Sequence, residues 1–246
     1  MTTTAPTTSP SRVRSTKVAA AESDTRDCIV RAALALFAKH GIDGVSLRQI
    51  VTAAGQSNPS AVHYHFQSKD GLVTAVFEHV AALLKPLQDQ ALVSMTEAQQ
   101  QGRLTVHEVV RLTAMPMILT YTSGRDGRQA VRFLSRLTWQ PHHSGNGMLL
   151  AHAWSHISEI KVMLSPLVPH RSDDALHFLV VMFVSNLIHG LADISLLGRH
   201  PSLGMTRLYS ERAFELMDWY VDYVAVGLVG TVPQAMHEPV VRSIAA

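Results

Sequence analysis

The stretch SLRQIVTAAGQSNPSAVHYHF, Ser46 to Phe66, constrains this chain more than any other segment. Ser46 suits an N-cap and Gln49, three residues on, completes a capping box, so the pattern predicts a helix from Leu47. Leu47, Ile50 and Val51 share one face at helical spacing, and Ala53 and Ala54 are small enough for close packing. Gly55 permits the left-handed conformation that ends a helix and turns the chain. Asn58 can cap a second helix, and Pro59 suits its first position because no N–H is needed there. That second helix, Pro59 to about Tyr64, carries Ser60, His63 and Tyr64 and no acidic residue. A short, polar, non-acidic helix braced across a preceding one is how a helix-turn-helix offers side chains to the major groove. A plain helical hairpin inside a core satisfies the same short pattern, so the flanks decide.

On the N-terminal side, Phe37-Ala-x-x-Gly41-x-x-Gly44-x-Ser46 leads into Ile50-x-x-Ala53-Ala54-Gly55. On the C-terminal side stand Tyr64-His65-Phe66-x-Ser68-Lys69-x-x-Leu72. Together these elements resemble the DNA-binding signature of the TetR family of bacterial repressors, over roughly residues 24–80. One departure is visible. The segment between Gly55 and Phe66 is a residue longer than the commonest family pattern, with Asn58-Pro59 where Lys-Gly-type pairs are usual.

The resemblance implies an all-α protein. Its N-terminal three-helix helix-turn-helix domain would bind DNA, and a larger helical domain would bind an effector and dimerise. Tyr64 and Lys69 match family positions that contact the DNA backbone. Ser46, Arg48, Tyr64, His65 and Lys69 are therefore assigned to phosphates, and Asn58, Ser60 and His63 to bases. The implied partners are a near-palindromic double-stranded operator, a small-molecule effector and a second copy of the chain, with no cofactor.

Charge agrees in its distribution rather than its total. The net charge is only +2, but residues 1–70 hold eight Lys/Arg against five Asp/Glu, whereas the remainder holds thirteen against fourteen. The basic bias lies where the DNA-reading motif lies. The 246 residues allow one large domain or two smaller ones, and 47% apolar content favours a well-buried helical chain. A single cysteine, Cys28, rules out an intramolecular disulfide framework and fits a reducing cytoplasm. Lying in the first predicted helix, it reads as a packed thiol.

Four stretches follow from this reading. Residues 1–23 are expected to be a disordered basic arm, in which Arg12, Arg14 and Lys17 either reach a minor groove or phosphates or remain a solvated tail. Residues 24–70 form the DNA-binding domain, with Asp24–His40 as its first helix on a stripe of Ile29, Ala33, Leu36 and Phe37. Residues 71–230 form the effector-binding and dimerisation domain, and 231–246 a flexible tail. A fourth helix is expected from a Ser68 cap through Leu72, Val76, Phe77 and Val80 toward Leu84, and a separate one over Leu87–Gln101. Thr105–Tyr121 contains Pro116, predicting a kink or break near Ala114. Gly124–Gly127 reads as a turn, Arg128–Gln140 as a helix, Pro141–Gly147 as a loop and Met148–Leu164 as a helix.

From Asp174 to about Leu197 runs a helix that is uncharged between Ala175 and Ala192, nearly long enough for a membrane span. It holds His177, Ser185, Asn186, His189 and Gly190 and lacks flanking basic anchors, which favours a core or interface helix and no membrane. The last helix, about Thr206–Val229, places Phe214, Met217, Val221, Val224 and Leu228 on one stripe. These two helices are expected to build the dimer, with Met182, Leu187 and Val221 at or near the interface and Gly190 allowing close approach.

No catalytic constellation stands out: there is no nucleophile elbow, phosphate-binding glycine loop or zinc-type Cys/His cluster. His142, His143, His152 and His156 are the most provocative group, the last two sharing a helix face as two ligands of one metal could. Neutral histidines capping loops or lining a pocket explain them more simply, so no metal is assigned. The segment Arg132–Trp154 interleaves Trp139, Trp154, Met148, Phe133 and Leu137 with charged groups, the makeup of a small-molecule site. Arg132, Arg136, Trp139, Met148, His152, Trp154 and His156 are the candidate effector residues, for an apolar molecule with one polar or anionic group. The sequence thus reads as a cytoplasmic, ligand-responsive regulator, most simply a repressor and not an enzyme. The alternative is a ligand- or metal-binding helical enzyme with an incidental helix-turn-helix.

Overall fold

The computed structural model describes residues 10–56, 60–140, 142–197 and 213–230, and every regular element among them is helical. They are α1 (Pro10–His40), α2 (Leu47–Ala53), α3 (Ser60–Phe66), α4 (Lys69–Gln100) and α5 (Val106–Thr122). After these come α6 (Arg125–Thr138), α7 (Ser144–Leu164), a 3₁₀ turn (Ser165–Leu167), α8 (Asp173–Leu197) and α9 (Ala213–Val229). The all-α expectation holds.

Several boundaries differ from the sequence reading, for physical reasons. The first helix begins at Pro10 rather than Asp24. No Gly or Pro interrupts Ser11–His40, the run Ala19-Ala20-Ala21-Glu22 favours helix, and Pro10 is at home in a first position. The two helices predicted on either side of Pro86 are one helix, α4. Pro116 likewise lies inside an unbroken α5. A proline removes one helical hydrogen bond at a cost of about 3 kcal/mol, which well-packed turns on both sides can offset. Gly124–Gly127 is not a turn. Gly124 caps α6 with φ 133°, and Arg125, Asp126 and Gly127 form its first turn. Gly127 is needed for closeness: a Cβ there would strike the carbonyl oxygen of Thr120.

The chain divides into two compact units, residues 1–85 with 119–152, and residues 86–118 with 153–246. In the first, α1 buries Ile29, Val30, Ala33, Leu34, Phe37 and Ala38, two adjoining rows at helical spacing. The Phe37 ring stacks 6.3 Å from Phe133 of α6. Leu72, Val76, Phe77, Val80 and Leu84 of α4 are buried as the sequence predicts. Residues 119–152 thus belong to the compact unit that contains the helix-turn-helix, although the sequence reading put them with the effector-binding region.

The second unit has its own core. Val109, Val110 and Ala114 of α5, Ile160 and Leu164 of α7, Leu176, Val180, Phe183 and Leu187 of α8, and Val221, Val224, Ala225 and Leu228 of α9 meet there. Tyr220 donates to the carbonyl of Phe183 at 3.2 Å, joining α9 to α8, and burial pushes its phenol well above the usual range. The Arg171 guanidinium caps the end of α9, donating to the carbonyls of Gly227, Leu228 and Gly230. The 173–193 stretch of α8 is apolar and long enough to cross a membrane, but one of its faces supplies this core.

Candidate nucleic-acid interface

The reading head is set by local hydrogen bonds. Ser46 caps α2: its Oγ accepts from the Gln49 amide at 3.3 Å while its own amide donates to Gln49 Oε1 at 2.8 Å, the predicted capping box. The Ser46 hydroxyl also donates to Gln49 Oε1 at 2.8 Å, so this side chain serves the helix end as well as facing solvent. Gly55 takes φ 70° and turns the chain toward α3. Asn58 and Pro59 lie outside the described residues.

On α3, Val62 and Phe66 are buried, one helical turn apart, while Ser60, His63 and Tyr64 are exposed, Tyr64 to 72%. A seven-residue helix so sided has one face for its brace against α2 and one for solvent. The Arg26 guanidinium lies 5.4 Å above the Phe66 ring, tying α1 to α3. His65 differs from its neighbours: it is half-buried, with its ring 4.9 Å from Tyr64 and 6.0 Å from Phe66. Lys69, the first residue of α4, is half-buried and Arg48 of α2 is exposed.

The His63 ring is fixed. Its Nδ1 lies 2.9 Å from the carbonyl oxygen of Gln67, a residue held at φ 64° in the turn before α4. A carbonyl only accepts, so Nδ1 carries the proton, and in the neutral ring Nε2 is an acceptor. Ser68 caps α4 as predicted, its Oγ accepting from the Gly71 amide at 3.0 Å. Gly71 is compelled, because a Cβ there would strike the Phe66 carbonyl oxygen.

The candidate effector residues fall into both units. In the first, Phe133 and Leu137, their apolar neighbours in sequence, are fully buried, and Phe133 stacks on Phe37. Trp139, at the end of α6, is 76% exposed. Arg136 is exposed; Arg132 is half-buried, and its charge, with that of Arg128, pulls against the burial that raises the Tyr121 phenol above its ordinary range. Met148 is half-buried on α7. His152 is the informative one: its ring meets Phe77 edge-on at 6.3 Å, and its Nε2 is buried without a hydrogen-bond partner. In the second unit, Trp154 stacks flat on His177 at 5.3 Å, and His156 Nδ1 lies 3.7 Å from Glu159 Oε2.

Residues 29–76 match the family model of bacterial regulatory proteins, tetR family. The head is therefore similar to the DNA-binding part of that family. Over 93 residues the chain is 34% identical to the HTH-type transcriptional repressor NicS of Pseudomonas putida, covering 37% of this chain and 43% of that one. The chain therefore spans less than half the length of that curated relative. Two solved structures extend the likeness in fold to most of the chain. A candidate fatty acid metabolism regulator of Clostridium perfringens has TM-score 0.55 at 16% identity, covering 84% of this chain and 100% of that one. The TetR-family regulator PfmR of Thermus thermophilus has TM-score 0.52 at 15% identity, covering 85% and 97%. At such identities they speak for fold alone.

Proposed function

We propose that this TetR-family chain is a cytoplasmic, homodimeric transcriptional repressor that leaves its operator when a small, largely apolar effector binds. One observation carries the reading: a capped two-helix head whose α3 turns Ser60, His63 and Tyr64 outward and keeps Val62 and Phe66 in. The name of a relative 34% identical over 93 residues favours repression over activation.

In this reading Arg48, Tyr64, Lys69 and Ser46 hold phosphates and fix register, His65 supports Tyr64, and Asn58, Ser60 and His63 face base edges. With Nδ1 committed to Gln67, His63 would accept at Nε2, which matches the exocyclic amino group of adenine or cytosine. Dimerisation would use the outward faces of α8 and α9. Leu187 and Val221, expected from sequence at or near that interface, are buried within the protomer. Phe178 and Met182 of α8 and Trp219, Tyr223, Val226 and Val229 of α9 are exposed apolar residues there, and Gly190 has open space where a Cβ would stand. For the effector, His152 is the favoured polar contact, since a buried ring nitrogen without a partner is suited to a ligand's donor or acid group. Release requires that the effector bind one conformation of the protein better than the other.

The test is selection of binding sites from random DNA with the full-length chain. An inverted repeat with two equal half-sites supports the reading. Enrichment of no sequence at all would overturn it.

A further inference from the structure

We propose that Asp43, His142 and His143 form a binding site for a divalent transition-metal ion, Zn²⁺ foremost, within the head unit. Asp43 lies in the loop between α1 and α2; His142 and His143 lie between α6 and α7, some hundred residues on. One ligand atom from each lies within 4.8 Å of the others. His143 Nε2 is 3.1 Å from Asp43 Oδ1 and His142 Nε2 is 3.3 Å from Asp43 Oδ2. Those separations are close to the about 3.3 Å edge of a tetrahedron with bonds near 2.0–2.1 Å, the length for zinc bound by imidazole and carboxylate. Two imidazoles and one carboxylate are a donor set for such ions rather than for Mg²⁺ or Ca²⁺.

The surroundings have the form that a metal site needs. The other nitrogen of His143, Nδ1, lies 3.2 Å from Asp70 Oδ1 at the start of α4. A carboxylate behind a ligating histidine fixes the ring's orientation and raises its basicity. Gln140 donates from Nε2 to Asp43 Oδ2 at 3.0 Å, orienting the second ligand, and Gln140 Oε1 is buried with no hydrogen-bond partner. His143 is only 11% exposed while Asp43 and His142 are 58% and 61% exposed, so the site has a rigid back and an open front for ion entry. The three protein ligands leave a fourth position for water. A bound ion would link the loop entering α2, the start of α4 and the loop after α6.

The experiment is Zn²⁺ titration of EDTA-treated full-length protein against a chromophoric chelator, with Co²⁺ as a visible probe. One equivalent per chain is expected, with Co²⁺ giving the intense absorption of a four-coordinate site. Asp43→Asn, His142→Gln and His143→Gln should each lower affinity at least tenfold, and Asp70→Asn about ten- to hundredfold. His142 is exposed, so His142→Gln should retain the wild-type circular dichroism and melting temperature of the metal-free protein. His156→Gln should bind as wild type. Failure of the wild-type chain to take up a stoichiometric ion, or equal uptake by the Asp43, His142 and His143 variants, overturns the proposal. No DNA enters the measurement, so either result leaves the regulatory reading standing.

Discussion

Among the described glycines inside helices, those with no room for a Cβ lie in the head unit. In the head unit, a Cβ on Gly71 or Gly127 would strike a backbone carbonyl oxygen, and one on Gly145 would come within 2.8 Å of Val73 Cγ1. In the second unit, Gly190 and Gly227 have nothing within 4 Å of that position. The head is held by close backbone approach, helix caps and polar clasps such as His143 with Asp43 and Asp70. The other unit is held by apolar stripes, and α8 and α9 keep apolar side chains outside as well as inside. A unit built the first way fixes where its surface groups stand, as base reading demands. One built the second way has surface left for a partner.

The strongest way to break this contrast is Phe133→Ala. Fully buried and stacked on Phe37, Phe133 should contribute about 3–5 kcal/mol to the head unit, read by chemical denaturation. If the variant is as stable as wild type and changes only the effector response, α6 is a pocket wall after all and the sequence reading of it was right.

Trp219→Ala probes the other side. Trp219 is half exposed in the protomer, so folding should change little, while a central aromatic of a dimer interface contributes about 2 kcal/mol or more. Sedimentation should show a dissociation constant raised at least about thirtyfold. An unchanged dimer would place the interface elsewhere.

Paired glycine substitutions sharpen the comparison. Gly127→Ala should cost about 1–3 kcal/mol by overpacking, and Gly227→Ala should leave protomer stability unchanged or raise it by up to about 1 kcal/mol, since alanine favours helix. Equal melting temperatures for the two variants would remove the distinction. The smallest effect expected is that of Ser46→Ala, about 1 kcal/mol from loss of the α2 cap, visible as faster amide exchange in α2.

What was legible in the sequence follows the same division. The capping box at Ser46 and Gln49, the Ser68 cap and the buried row of α4 involve neighbours within a turn or two, so spacing alone reveals them. The stripe Met217, Val221, Val224 and Leu228 was equally plain as a period, but a period does not say whether the stripe faces the protomer's own core or a second copy. The partners of His142 and His143 were illegible, because Asp43 and Asp70 stand far off in sequence and only the docking of α6 and α7 against the head brings them close. Pro86 misled in the opposite direction, since local cost suggested a break that packing overrides.

The central claim, that the head reads DNA, is tested most directly by fluorescence anisotropy of the full-length chain on the DNA upstream of its own gene, over a range of salt. The account predicts binding at least about a thousandfold tighter than to scrambled DNA of equal length. It also predicts log affinity falling linearly with log salt, with a slope reduced by about one in Lys69→Ala and preference for the operator weakened in His63→Ala. Equal affinity for the two DNAs at every salt concentration would contradict it.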